Sequence, residues 1–163
     1  QYYLGNLNDA RDSFAEATRL DPTFQTAYVW AGRVSLELAQ PELALPYWQQ
    51  ALALQPTSAD LQYFLTLTEN QLLWGVNAYR AFEQGMTFYN GGNTSDARAK
   101  LEQAVATNPT FSDAWAWLGR LAYEDADYGS AYEAFGKAKE LGDDESYQYF
   151  YEASAQQLGL DKR

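Results

Sequence analysis

Small and aromatic residues recur along this chain three, four and seven positions apart, the spacing that builds one buried face of a helix. Counting back from Pro22 gives Ala17, Phe14 and Ala10, and counting back from Pro56 gives Ala51, Trp48 and Ala44. Before Pro109 stand Ala104, Leu101 and Ala97, and before Asp143, where the next proline would fall, stand Ala138, Phe135 and Ala131. Gly32, Gly85 and Gly119 each precede the proline position by 24 residues. Pro22 and Pro56 lie 34 residues apart, so the pattern is a repeat.

The beat has a helical explanation. Alanine on one helix and glycine on the one before it let two antiparallel helices approach at the close end of the usual ~8–10 Å axis spacing. The Phe or Trp between the alanines fills the space that the small residues leave. Proline after the second helix cannot continue it and restrains the residue before it. Ser58, Ser95 and Ser112 are placed to cap helices, with Asp60, Asp96 and Asp113 in their first turns. No stretch carries the alternation of a strand.

With that period and those residues, the chain resembles the tetratricopeptide repeat family, whose pattern runs Trp–x2–Leu–Gly–x2–Tyr, then Ala–x3–Phe–x2–Ala, then Pro. Residues 112–145 match best, with Trp115, Leu118, Gly119, Tyr123, Ala131, Phe135 and Ala138. Residues 25–58 match with Tyr28, Ala31, Gly32, Ala44, Trp48, Ala51 and Pro56, and 78–111 with Gly85, Ala97, Ala104 and Pro109. Residues 1–24 supply only a second helix and its turn. The resemblance implies one all-α domain over 1–163, a helix–turn–helix solenoid wound as a right-handed superhelix.

The stretch QLLWGVN breaks the period. Pro56 and Pro109 are 53 residues apart, 19 more than one repeat, so 59–77 is expected to be an extra helix in the middle of the array. Its apolar residues Leu61, Phe64, Leu65, Leu72 and Leu73 are available to pack on the repeat before it. Gly75 and Asn77 offer the only turn signal before Ala78. Either the chain turns at Gly75, the favoured reading, or one helix runs from 59 to about 90 and holds the halves apart for exchange with a second chain. Residues 146–163 are expected to form a capping helix and a charged tail.

Composition narrows the chemistry. Of 163 residues, 22 are acidic and 11 basic, a net charge of −11 that opposes binding to nucleic acid or anionic membrane surfaces. There is no cysteine and no histidine, so thiolate nucleophiles, disulfides, zinc clusters and histidine acid–base pairs are excluded together. No apolar run approaches the ~20 residues that span a bilayer, so no membrane insertion is expected. Asp125, Asp127 and Gly129 imitate the start of a calcium loop, but its twelfth position is Gly136, where a bidentate glutamate belongs. Asn93-Thr94-Ser95 is a formal glycosylation sequon and carries no further signal. No catalytic residue, cofactor or metal is expected, and the chain reads as a non-enzyme. The start QYYLGNLNDA has neither an initiator Met nor a signal peptide, and the chain is read as a fragment of a bacterial protein of the cytoplasm or periplasm.

The family implies that a ligand lies along the first helix of each pair, at its second, fifth, ninth, twelfth and thirteenth places. These places give Arg33 in one repeat, Tyr79, Phe82, Met86 and Tyr89 in the next, and Arg120 and Tyr123 in the last, as candidates for a peptide-binding groove. The middle set is apolar enough to be either core or open groove. Trp30, Trp74 and Trp117 read as packing residues. The Lys–Asn pair with which one branch of the family clamps a peptide C-terminus is missing, its places holding Val29 and Arg33, Phe82 and Met86, Ala116 and Arg120. The expected function is a scaffold that binds a neutral or basic peptide segment of another protein. The alternatives are a self-associating module such as a homodimer, which little charge opposes because basic residues are absent from 34 to 79, and an accessory domain of a larger enzyme or assembly factor.

Overall fold

The computed structural model describes residues 6–160 and contains only helices, turns and loops among them. They form two compact units, Gln1–Val76 and Asn77–Arg163. The first holds α1 (Leu7–Leu20), α2 (Gln25–Glu37), α3 (Pro41–Leu54) and α4 (Ala59–Trp74). The second holds α5 (Val76–Asn90, beginning one residue before the boundary), α6 (Thr94–Thr107), α7 (Ser112–Glu124), α8 (Tyr128–Leu141) and α9 (Glu145–Gln157). Residues 1–5 of the partial repeat and 161–163 of the tail lie outside the described residues.

The recurrent small residues sit where successive helices meet. Ala10, Ala44, Ala51, Ala97, Ala104, Ala131 and Ala138 are all buried. A Cβ at Gly32 would lie 2.7 Å from the Trp48 ring, and one at Gly119 would lie 2.8 Å from the Phe135 ring. Both distances are far below a comfortable carbon–carbon contact of ~3.5–4.0 Å, so these positions admit only hydrogen. Trp48 and Phe135 are accordingly the large fully buried side chains of their pairs.

The extra helix ends at Gly75, which adopts φ +86 and ψ 141 and donates its N–H to the Gln71 carbonyl. That left-handed backbone closes α4, so residues 59–90 are two helices and the continuous rod is not formed.

Capping follows the local chemistry only in part. Ser58 caps α4 and accepts from the Leu61 N–H at 3.3 Å. Ser95 and Ser112, expected as caps, lie inside their helices instead. Asn93 caps α6, accepting from the Asp96 N–H at 3.2 Å, because the Gly91–Gly92 turn brings the chain into the helix two residues earlier. Phe111 is the N-cap of α7 and gives up a side-chain cap to bury its ring.

A longer repeat lies over the short one. Residues 87 apart carry the same roles: Asn6 and Asn93 cap α1 and α6, and Asp21 and Asn108 accept from the backbone N–H of Thr23 and Thr110 at the prolyl turns. Ala39 and Ala126 take the same uncommon left-handed conformation, φ 56 and 58, at the end of α2 and α7. Trp48 stacks on Phe64 of α4 at 4.8 Å as Phe135 stacks on Phe150 of α9 at 5.2 Å, the spacing falling to 86 in the last helix because the turn before α9 is one residue shorter than that before α4. Hence α1–α4 and α6–α9 are two copies of one four-helix module, and α4 is to the first what α9 is to the second. The second unit has α5 in addition. Its Tyr79 and Phe82 lie 6.3 and 4.9 Å from the ring of Phe111, which is fully buried, whereas Phe24 at the matching place is 47% exposed.

Candidate functional site

The second unit has a hollow of about 270 Å³ bounded by α5, α7 and α9. Phe82 comes from α5, and Asp113, Ala116, Trp117 and Arg120 come from α7. Spacings of three, four and seven put those four α7 residues on one helical face. Asp144, Ser146, Tyr147 and Phe150 of the α9 start complete the wall, and the Phe135 ring lies beneath.

One end of the hollow is a fixed cationic group. The Arg120 guanidinium lies 4.9 Å from the centre of the Trp117 ring and 5.6 Å from that of Tyr89, within cation–π range. Its Nε donates to Glu124 at 3.0 Å, and the Tyr89 hydroxyl donates to the same carboxylate oxygen at 2.8 Å. The Glu124 contact raises the Arg120 pKa further and also raises that of the Tyr89 phenol. Tyr89 meets Trp117 edge-on at 5.0 Å, so the four side chains brace one another.

The other end is anionic. Asp113, in the first turn of α7, accepts a hydrogen bond from the Tyr147 hydroxyl. Burial, then the Asp113 contact, pushes the Tyr147 phenol well above its ordinary range, so Tyr147 stays a donor. Asp144 caps α9 and accepts from the Ser146 N–H at 2.7 Å. The Ser146 contact lowers the Asp144 pKa and keeps it charged.

The residues singled out in the sequence fall in different places. Phe82 and Arg120 line the hollow, and Tyr89 braces Arg120. Tyr79 stacks on Phe82 at 6.0 Å, and Tyr123 packs edge-on against Tyr128 and Phe150 as part of the core beside Phe135. Met86 is half-buried on α5. Arg33 belongs to the first unit, where it lies 5.6 Å from Trp30 and 5.2 Å from Phe64. Trp117, expected only to pack, is a wall of the hollow. Tyr147 and Phe150 escaped notice, although the same period carried on to α9 puts them at the second and fifth places of a further repeat. The calcium-loop imitation has other uses: Asp125 pairs with Arg98 at 2.8 Å and Asp127 caps α8.

A family profile described as Tetratricopeptide repeat matches residues 1–59 and 82–146. The chain belongs to the tetratricopeptide repeat family. Tetratricopeptide repeats are protein–protein interaction scaffolds. Human superkiller complex protein 3 is 26% identical over 155 residues, covering 95% of this chain and 9% of its own length. Tetratricopeptide repeat protein 37 of Xenopus laevis is 25% identical over 165 residues, covering 96% and 10%. The chain therefore spans about a tenth of the length of these relatives. Among solved structures, PilW, a widely conserved type IV pilus biogenesis factor, is 21% identical with a TM-score of 0.50, covering 99% of this chain and 83% of that one. That likeness is one of fold. No helix among the described residues is long and apolar enough to cross a membrane.

Proposed function

We propose that this tetratricopeptide repeat chain is a non-catalytic scaffold whose second unit binds a neutral or basic segment of another protein along α5, α7 and α9. The observation that carries the reading is the hollow itself: Phe82, Ala116, Trp117 and Phe150 leave about 270 Å³ that the chain's own side chains do not fill. Apolar hollows with a few fixed polar groups are where ligands settle. The charge of −11 disfavours acidic segments.

Random linear peptides displayed on phage and selected on the full chain test this. Selected peptides should bind wild type and lose about tenfold or more on Trp117→Ala, the usual effect of removing a central aromatic anchor. The variant should melt with wild type, since Trp117 is only half-buried. A selection that yields no Trp117-dependent peptide refutes the reading.

A further inference from the structure

We propose that the hollow of the second unit selects a basic side chain, Lys or Arg, from the bound segment, its charge received between Asp113 and Asp144 and its stem lying along Phe82, Trp117 and Phe150. This rests on the peptide-binding reading and names what that site recognises.

Three observations converge on it. The first is a mismatch of charge inside one hollow. Arg120 is the one cation among the described lining residues, and it already has Glu124 at 3.0 Å. Asp113 and Asp144 are held only by neutral donors, the Tyr147 hydroxyl and the Ser146 N–H, and neither joins an ion pair among the described residues. The lining thus offers two uncompensated carboxylates beside an aromatic floor. A cation whose stem is apolar satisfies both parts.

The second is size. At about 270 Å³, the hollow has room for one long side chain delivered by a segment running past it.

The third comes from the duplication. The first unit repeats much of the surface: Trp30, Arg33 and Glu37 stand 87 residues before Trp117, Arg120 and Glu124, and Phe64 of α4 plays the part of Phe150. At the place of Asp113, however, stands Thr26, and the cap of α4 is Ser58 where α9 has Asp144. Asp60, in the first turn of α4, stands at the place of the neutral Ser146 of α9. Both copies thus carry an acidic residue where α4 and α9 begin, but α7 has Asp113 where α2 has no acidic residue in its first turn, so the second unit sets one more carboxylate against this surface than the first. A second copy of this chain is a poor occupant, because it brings a further net charge of −11.

The test exchanges the second unit's residues for the first unit's: Asp113→Thr with Asp144→Ser, the latter keeping a good N-cap. Peptides selected on wild type should carry Lys or Arg beside apolar residues. Replacing that residue by Met, of similar length and no charge, should weaken binding to wild type about tenfold, the scale of one charge-assisted hydrogen bond, and leave binding to the double variant unchanged. If the double variant does not fold by circular dichroism, Asp144→Ser alone is read, and it must narrow the Lys–Met difference. Trp117-dependent peptides with no basic requirement overturn the inference and leave the peptide-binding reading standing. Enrichment of acidic residues, or a wild-type mass that rises with concentration and falls in Trp117→Ala, also overturns it by assigning the hollow to an anion or to a second copy. Absence of any Trp117-dependent peptide removes both.

Discussion

Adding one methyl group at Gly119 tests the packing on which the second unit stands. In the middle of α7, Gly→Ala normally stabilises a helix by up to ~1 kcal/mol. Here the new Cβ would lie 2.8 Å from Cδ2 of Phe135 and 2.9 Å from both Cγ and Cε2. The ring cannot withdraw: it is 2% exposed, and Phe150 stacks on it at 5.2 Å. Overpacking of a closed core costs about 1–3 kcal/mol, and a clash with a rigid ring belongs at the upper end. The net expectation is a loss of about 2 kcal/mol, which at this chain length lowers the melting temperature by roughly 4–8 °C. Thermal melts followed by far-ultraviolet circular dichroism give the number. Phe135→Leu made in the same background should recover part of the loss, because in the neighbouring pair a Cβ added at Gly85 would lie 3.0 Å from Cγ of Leu101, a less severe approach than to the Phe135 ring. The double variant should therefore be less destabilised than the two single changes added together. A Gly119→Ala protein that melts at or above wild type refutes the close approach.

Gly75→Ala should destabilise the chain by about 1–3 kcal/mol although nothing lies within 4 Å of the new Cβ, because φ +86 with ψ 141 is a glycine conformation. An alanine variant that gains helicity and melts higher would show that α4 and α5 prefer to join. Glu83→Gln should raise the melting temperature at neutral pH: burial raises the Glu83 pKa above its unfolded value, so the folded state is penalised only where both states are ionised. The advantage should shrink as pH falls through the raised pKa and vanish below the ordinary glutamate range, and an advantage that persists at low pH would point to packing instead.

Much of this was legible in the residues because the repeat states its own geometry. A glycine that must face a tryptophan, or an alanine that must face a neighbouring helix, leaves a mark that needs no coordinates, and so does a spacing 19 residues too long. The helix starts at Ser95 and Ser112 were harder, since a capping side chain competes with turn geometry before it and with burial of Phe111. Phe82 and Arg120, singled out by their register, both line the hollow. Tyr79 and Tyr123 share that register but do not line the hollow: Tyr79 stacks on Phe82 and Phe111, and Tyr123 packs edge-on against Tyr128 and Phe150. The contribution of α9 was missed for a different reason. The expectation of a capping helix does not say which face of α9 packs back, and its first turns line the hollow with Tyr147 and Phe150.

Phe24 and Phe111 fill the same place in the two copies, one 47% exposed and the other fully covered by the aromatics of α5. That difference bears on how such arrays lengthen. The Phe24 ring is the same apolar surface that Tyr79 and Phe82 cover at Phe111. A helix carrying such an aromatic pair fits over either ring without altering a residue of α1 or α2, so repeat arrays can exchange whole covering helices while the positions they cover stay as they are.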